Sequence, residues 1–295
     1  MIKKGIALGT LLLPLQVWAQ MFTADEVRLH GQRIDIITET ASSCLEETYA
    51  DHVDFYQKYG VSKYYGDRKP EYRTEEGRKQ ALQKYGAPAS LSSELEGISC
   101  IGLTMKCLGE GFEKAGQLST WNKIYKQLSI DKKFYGTDLQ KMLRELGWTS
   151  LYWNPNPSRN ADWDLEDQKI NPLKPGKVWN PVWGGHAYRY AQVLRKSEYY
   201  EVKVDDKTSL VGFGDQTPAY LKKVPFFVGT AHAGYHVFPG YSGKVIEAHS
   251  MRNLNAFDNL EVSAFNPLGT GGGPRWTKTE KYRSGLIVVP PPRRP

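Results

Sequence analysis

Apolar residues change their spacing part-way along the chain, from a helical period in the first half to an extended one in the second. Thr23-Ala24-Asp25-Glu26 fits a capping box, and Ile34, Ile37, Ala41, Leu45, Tyr49, Val53 and Tyr56 follow at helical spacing. That pattern predicts one long helix or two shorter ones. Residues 60–85 are polar, charged and tyrosine-rich with a short helix over 74–84, and Gly86 to Ser93 reads as a loop. Ser99 is a good N-cap, and Ile101, Met105, Leu108 and Phe112 continue a helix that ends near Gly116. Two more helices are expected at Trp121 to Leu128 and Thr137 to Leu146, the second opened by a capping box and closed by Gly147.

From Thr149 to Gly185 the chain is rich in Pro, Asn and Trp and shows no period, which predicts a long loop. Trp153, Trp163, Trp179 and Trp183 either stack on sugar rings or pin that loop to the body. Strands are expected at Tyr188 to Leu194, Tyr199 to Val204, Val224 to Val228, Leu260 to Ala264 and Ser284 to Val289. Val228 to Phe238 and Lys244 to His249 read as a hairpin joined by the turn Pro239 to Gly243. Helices first and strands later argue an α+β domain with an antiparallel sheet packed on helices. The glycines at 271–273 lack the following Lys-Ser/Thr and the strand-to-helix context of a phosphate loop. The Pro and Arg tail after Val289 is expected to be disordered.

Met1 to Ala19 has Lys3 and Lys4, an apolar run and small residues before a cleavage point, the pattern of a secretory signal peptide. An exported protein, periplasmic or secreted, follows as the expectation, with no membrane anchor. The formal charge of +7 biases the chain toward anionic partners such as cell-wall polymers. With no basic run interleaved with aromatics, the sequence makes no case for nucleic acid. An oxidising compartment makes the three cysteines informative, because one must stay free or pair outside the chain. Cys44 with Cys107 is the preferred bridge. Cys100 then remains free at the first turn of a helix, where unsatisfied amides and the helix dipole favour a thiolate.

Half of the six histidines, His232, His236 and His249, fall between Val228 and Ser250 together with Glu247. Imidazole beside carboxylate is what proton transfer needs, and a thiol at a helix start is what it can serve. A hairpin centred on Pro239-Gly240 sets His232 opposite Glu247, whereas a Gly240 to Gly243 loop sets His236 there. His186 is a lesser candidate. Two other readings stand beside the thiol hydrolase: a metal hydrolase using His232, His236 and Glu247 or His249, and an inactive wall-binding or exported interaction protein whose histidines are structural.

Tyr85-Gly86, Ser99-Cys100-Ile101-Gly102-Leu103, His232-Ala233-Gly234-Tyr235 and Lys244-Val245-Ile246-Glu247-Ala248 together resemble the NlpC-type papain-like cysteine peptidases that cut bacterial cell-wall peptides. Ser99 and Ile101 stand where that family has Asp and Ser, and a long insertion separates Cys100 from His232. The resemblance implies a papain-like core over residues 85–290, with an insertion around 117–223 and a helical N-terminal extension over 20–84. It implies Cys100 as nucleophile, His232 as base, Glu247 as its orienting group and Tyr85 near the oxyanion, with Ser99 in the substrate pocket. His236 is the rival base, and His249 a neighbour. Peptidoglycan or its peptide fragments would be the partner, and no cofactor or metal is implied.

Overall fold

The computed structural model describes residues 21–130, 136–154, 182–183, 186–187, 200–204, 207–213, 221–231, 236–264 and 285–290. The expected signal peptide, the strand at 188–194, Trp163, Trp179 and the tail after Pro290 lie outside those residues, as does His232. Within them the chain mixes helices with strands, an α+β fold. The helices are α1 (Ala24–Tyr59), α2 (Glu75–Lys84), α3 (Cys100–Lys114), α4 (Leu118–Ile130) and α5 (Gly136–Glu145). The Thr23 capping box is present, and α1 runs unbroken to a left-handed Gly60.

Helices α1 and α3 pack antiparallel, and the contact is close because a glycine sits in it. A Cβ on Gly111 would lie 2.5 Å from the Ile37 carbonyl oxygen. Cys44 and Cys107 bridge the same pair of helices, the pairing preferred from the sequence. At the far end a buried chain of hydrogen bonds replaces the bridge. Trp148 Nε1 donates to His30 Nε2 at 2.8 Å, which makes Nδ1 the protonated ring nitrogen that donates to Gln117 Oε1 at 3.2 Å. The Gln117 amide in turn donates to the Leu29 carbonyl. Every ring atom able to bond is used, so His30 is a structural histidine held neutral.

The strands are β1 (Tyr64–Gly66), β2 (Glu96–Ile98), β3 (Thr149–Asn154), β4 (Val182–Trp183), β5 (His186–Ala187), β6 (Tyr200–Val204), β7 (Lys207–Phe213), β8 (Phe227–Ala231), β9 (His236–Tyr241), β10 (Lys244–Ala248), β11 (Leu260–Ala264) and β12 (Gly285–Val289). One sheet runs β11-β10-β9-β8-β12-β3-β7-β6, antiparallel throughout except that β3 and β7 are parallel. Two of its strands fall where the sequence was read otherwise. Thr149 to Asn154 belongs to the sheet and not to a loop, and Lys207 to Phe213 carries an alternation that Gly212 and the charged residues around it obscure. Both lie in the stretch expected as an insertion, and both join the sheet that carries β9 and β10.

The expected hairpin is also built differently. Val228 to Phe238 is not one strand, because β8 and β9 are separate and pair with each other, Ala231 opposite His236. Two glycine–phenylalanine pairs account for this register. Gly229 lies opposite Phe238 and Phe227 opposite Gly240, and a Cβ on either glycine would overlap the facing ring, at 2.0 Å and 2.1 Å. Pro239 and Gly240, expected in the turn, are therefore inside β9. The turn itself is Ser242-Gly243, both with positive φ, as a two-residue hairpin requires.

Burial supplies a stability prediction. With its ring bonds satisfied in the neutral form and its site dry, His30 has its pKa lowered from 6.5 to about 4, desolvation being the main cause. The folded value is depressed, so the stabilisation is complete above pH 6.5 and is lost as pH falls toward 4, where the unfolded chain takes up a proton that the folded chain refuses. The ceiling is about 3 kcal/mol. Urea unfolding across that window is expected to show this loss, and His30→Asn, less stable at neutral pH, is expected to lose less on acidification. An identical pH slope in the two proteins would rule out His30 as its source.

Candidate thiol site

The thiol is placed by what precedes it. Strand β1 pairs in parallel with β2, Gly66 opposite Ile98, and β2 ends one residue before the Ser99 cap of α3. Ser99 Oγ accepts from the Gly102 amide at 3.3 Å, and its hydroxyl bonds the Asp67 carboxylate. Asp67 and Arg68 follow β1 directly and are pinned there, the Asp67 amide to the Ile98 carbonyl at 3.2 Å and the Arg68 amide to the Ser250 carbonyl at 3.0 Å. Gly66 permits the approach, since a Cβ there would stand 2.6 Å from the Ser250 oxygen. Sequence reading missed Asp67 and Arg68. They sit in a polar, tyrosine-rich stretch with no motif, and only the parallel pairing of β1 with β2 carries them to the thiol.

Cys100 is the free cysteine and is half-buried at the start of α3. Its thiol is pushed up by burial first. The backbone amides of Val237 and Ile101 point at the sulfur and pull the other way, as does the Arg68 charge, while the Glu247 carboxylate adds a small upward push. The net direction is up. The helix start alone therefore does not make Cys100 a standing thiolate.

The Val237 contact brings the backbone of one candidate histidine close to the thiol. Strands β9 and β10 pair next to their turn, Tyr241 with Lys244 and Gly240 with Val245, and further along β9 the Val237 amide meets the sulfur. The Cα of His236 is two bonds from that amide nitrogen. His232 lies outside the described residues. The observed pairs, which close a two-residue turn at Ser242-Gly243, give a register different from both that the sequence allowed. Glu247 is 7% exposed. It lies 3.8 Å from His249 Nε2, and Glu261 lies 3.9 Å from the same nitrogen.

Tyr85 ends α2 and packs against a second cluster of Phe55, Val61, Tyr72, Leu82 and Leu91. Its hydroxyl bonds Tyr72, whose own pKa is raised to about 12, by burial first. The thiol packs instead against the main cluster, which includes Leu103, Val237, Ile246 and Ala248. The contacts of Tyr85 among the described residues are thus with the second cluster, where the sequence expected it near the oxyanion. His52 is structural like His30, its Nε2 donating to the Phe257 carbonyl at 2.7 Å. Matched against protein-family models, curated proteins and solved structures, the chain finds no counterpart among any of them.

With Cys44 and Cys107 joined, Cys100 is the free thiol of the chain. Unreduced protein treated with iodoacetamide is expected to take up one label per chain, at Cys100 by peptide mapping, and at a rate that rises with pH. Arg68→Ala removes a charge that favours the thiolate, and should slow labelling at fixed pH by roughly two- to fivefold, the size expected of one solvent-screened charge. An unchanged rate would remove Arg68 from the thiol's surroundings.

Proposed function

We propose that the chain is an exported cysteine hydrolase, with a papain-like core, that cleaves amide bonds in cell-wall peptides through a thioester on Cys100. The observation that carries this reading is the free thiol at the start of α3, lying against the His236–Val237 peptide of β9 with the buried Glu247 nearby. A small buried cysteine with a packing role alone needs neither two amides aimed at its sulfur nor a carboxylate and a guanidinium in its field.

His236 is proposed as the base in preference to His232, because its backbone adjoins the amide that meets the sulfur. In the mechanism the His236 imidazole takes the Cys100 proton as sulfur bonds to the substrate carbonyl carbon. The oxygen becomes an oxyanion facing the amides at the start of α3. Collapse of that intermediate breaks the carbon–nitrogen bond, and the imidazolium gives its proton to the leaving amine. Water then attacks the thioester, His236 taking its proton, and the sulfur leaves as thiolate to be reprotonated, with the acid as second product. Glu247 holds the imidazole in its productive tautomer. Arg68, exposed beside the thiol, offers a cation to a carboxylate on the substrate, which suits an anionic wall polymer.

Purified sacculi test the reading. Release of peptides is expected to fall by roughly a thousandfold or more in Cys100→Ala and in His236→Ala, the scale of losing a nucleophile or its base. His232→Ala should retain most of it. Unchanged release in Cys100→Ala would end the hydrolase reading, and loss in His232→Ala with retention in His236→Ala would return the base to His232.

A further inference from the structure

Strands β10 and β11 bring two carboxylates face to face. Glu247 and Glu261 are directly opposed in the ladder, and like charges so placed destabilise a sheet unless a cation lies between them. What stands between them is an imidazole. His249 Nε2 is 3.8 Å from Glu247 Oε2 and 3.9 Å from Glu261 Oε2, with the histidine side chain 16% exposed. The backbone fixes His249 there, since its amide donates to the Asn259 carbonyl at 2.9 Å and continues the β10–β11 ladder.

The three ligand atoms lie within 4.8 Å of one another. Around zinc, bonds of about 2.0–2.2 Å place tetrahedral ligand atoms about 3.3–3.5 Å apart, a contraction that small side-chain rotations supply. One imidazole with two carboxylates is a donor set for a first-row divalent ion, with water completing the shell, and is too nitrogen-rich for calcium or magnesium to be favoured. Glu247 and Glu261 sit on paired strands with His249 directly after β10, and all three are half-buried or buried, unlike an acidic patch on an open surface.

We propose that Glu247, His249 and Glu261 bind a zinc-class divalent cation, and that the bound ion engages Glu247 and so silences the thiol site. The second half rests on the hydrolase reading, because Glu247 is there the group that orients the base. Binding itself does not. A metal at this place would be inhibitory rather than catalytic, which separates it from a metal hydrolase built on His232 and His236.

Calorimetric titration of the full chain with zinc chloride is the test, carried out on Cys100→Ala so that the thiol cannot contribute. One ion per chain is expected, bound at least tenfold more weakly in His249→Gln and in Glu261→Gln. Circular dichroism checks that both variants fold, and Glu261, the most exposed of the three, gives the safer variant. No zinc heat, or an affinity that neither substitution changes, would overturn the site. In chains that keep Cys100, the zinc concentration that halves peptide release should rise at least tenfold in Glu261→Gln; an unchanged value would overturn the silencing. Zinc binding that obeys the variants, in a chain releasing no peptide at any zinc concentration, would uphold the site and refute the hydrolase and the silencing together.

Discussion

The close antiparallel contact of α1 with α3 is the constraint on which the rest depends. It is closed at one end by the Cys44–Cys107 bridge, in the middle by Gly111 against the Ile37 backbone, and at the other end by the Trp148–His30–Gln117 hydrogen-bond chain. These three fastenings differ in chemistry and share one outcome, which is that α3 cannot slide along α1. With α3 fixed, its first residue is fixed too. Helix α1 is part of the same core, since Ile34, Ile37, Ala41 and Leu45 share one buried cluster with Leu103, Leu108, Val237 and Ile246.

Onto that frame strand pairing in two separate sheets sets the surroundings of the thiol. Pairing of β1 with β2 leads the chain into the Ser99 cap and sets Asp67 and Arg68 alongside. The glycine–phenylalanine pairs lock β8 to β9, and so decide that the Val237 amide meets the sulfur. The electrostatics are then a contest between burial, which opposes ionisation, and dipoles that favour it. Burial wins. A thiol of this kind stays protonated until an imidazole takes the proton, which suits a nucleophile activated by its partner and not by the helix alone.

Much of the helical half was legible in the sequence because its signals are local. Thr23, Thr74 and Ser99 cap helices within three residues of themselves, and the odd cysteine count left one thiol over, which its place at a helix start suggested was Cys100. Strands were read less well, since β3 and β7 take their support from neighbours far away in the chain rather than from a clear alternation. The hairpin was misread for a definite reason. Pro-Gly is a familiar turn signal, yet Gly240 is needed inside β9 to receive the Phe227 ring, and Ser242-Gly243 supplies the turn instead. Glu261 and Arg68 were not found because no spacing in the sequence relates them to Glu247 or Cys100. Only strand pairing does.

The central claim is that Cys100 is a nucleophile served by His236. Its most direct test is a peptide carrying an electrophilic trap, such as a vinyl sulfone, incubated with the folded chain and followed by intact mass and peptide mapping. A covalent adduct at Cys100 is predicted, formed at similar rates in the parent chain and in His232→Ala and lost or strongly slowed in His236→Ala. Equal labelling of all three proteins would contradict it.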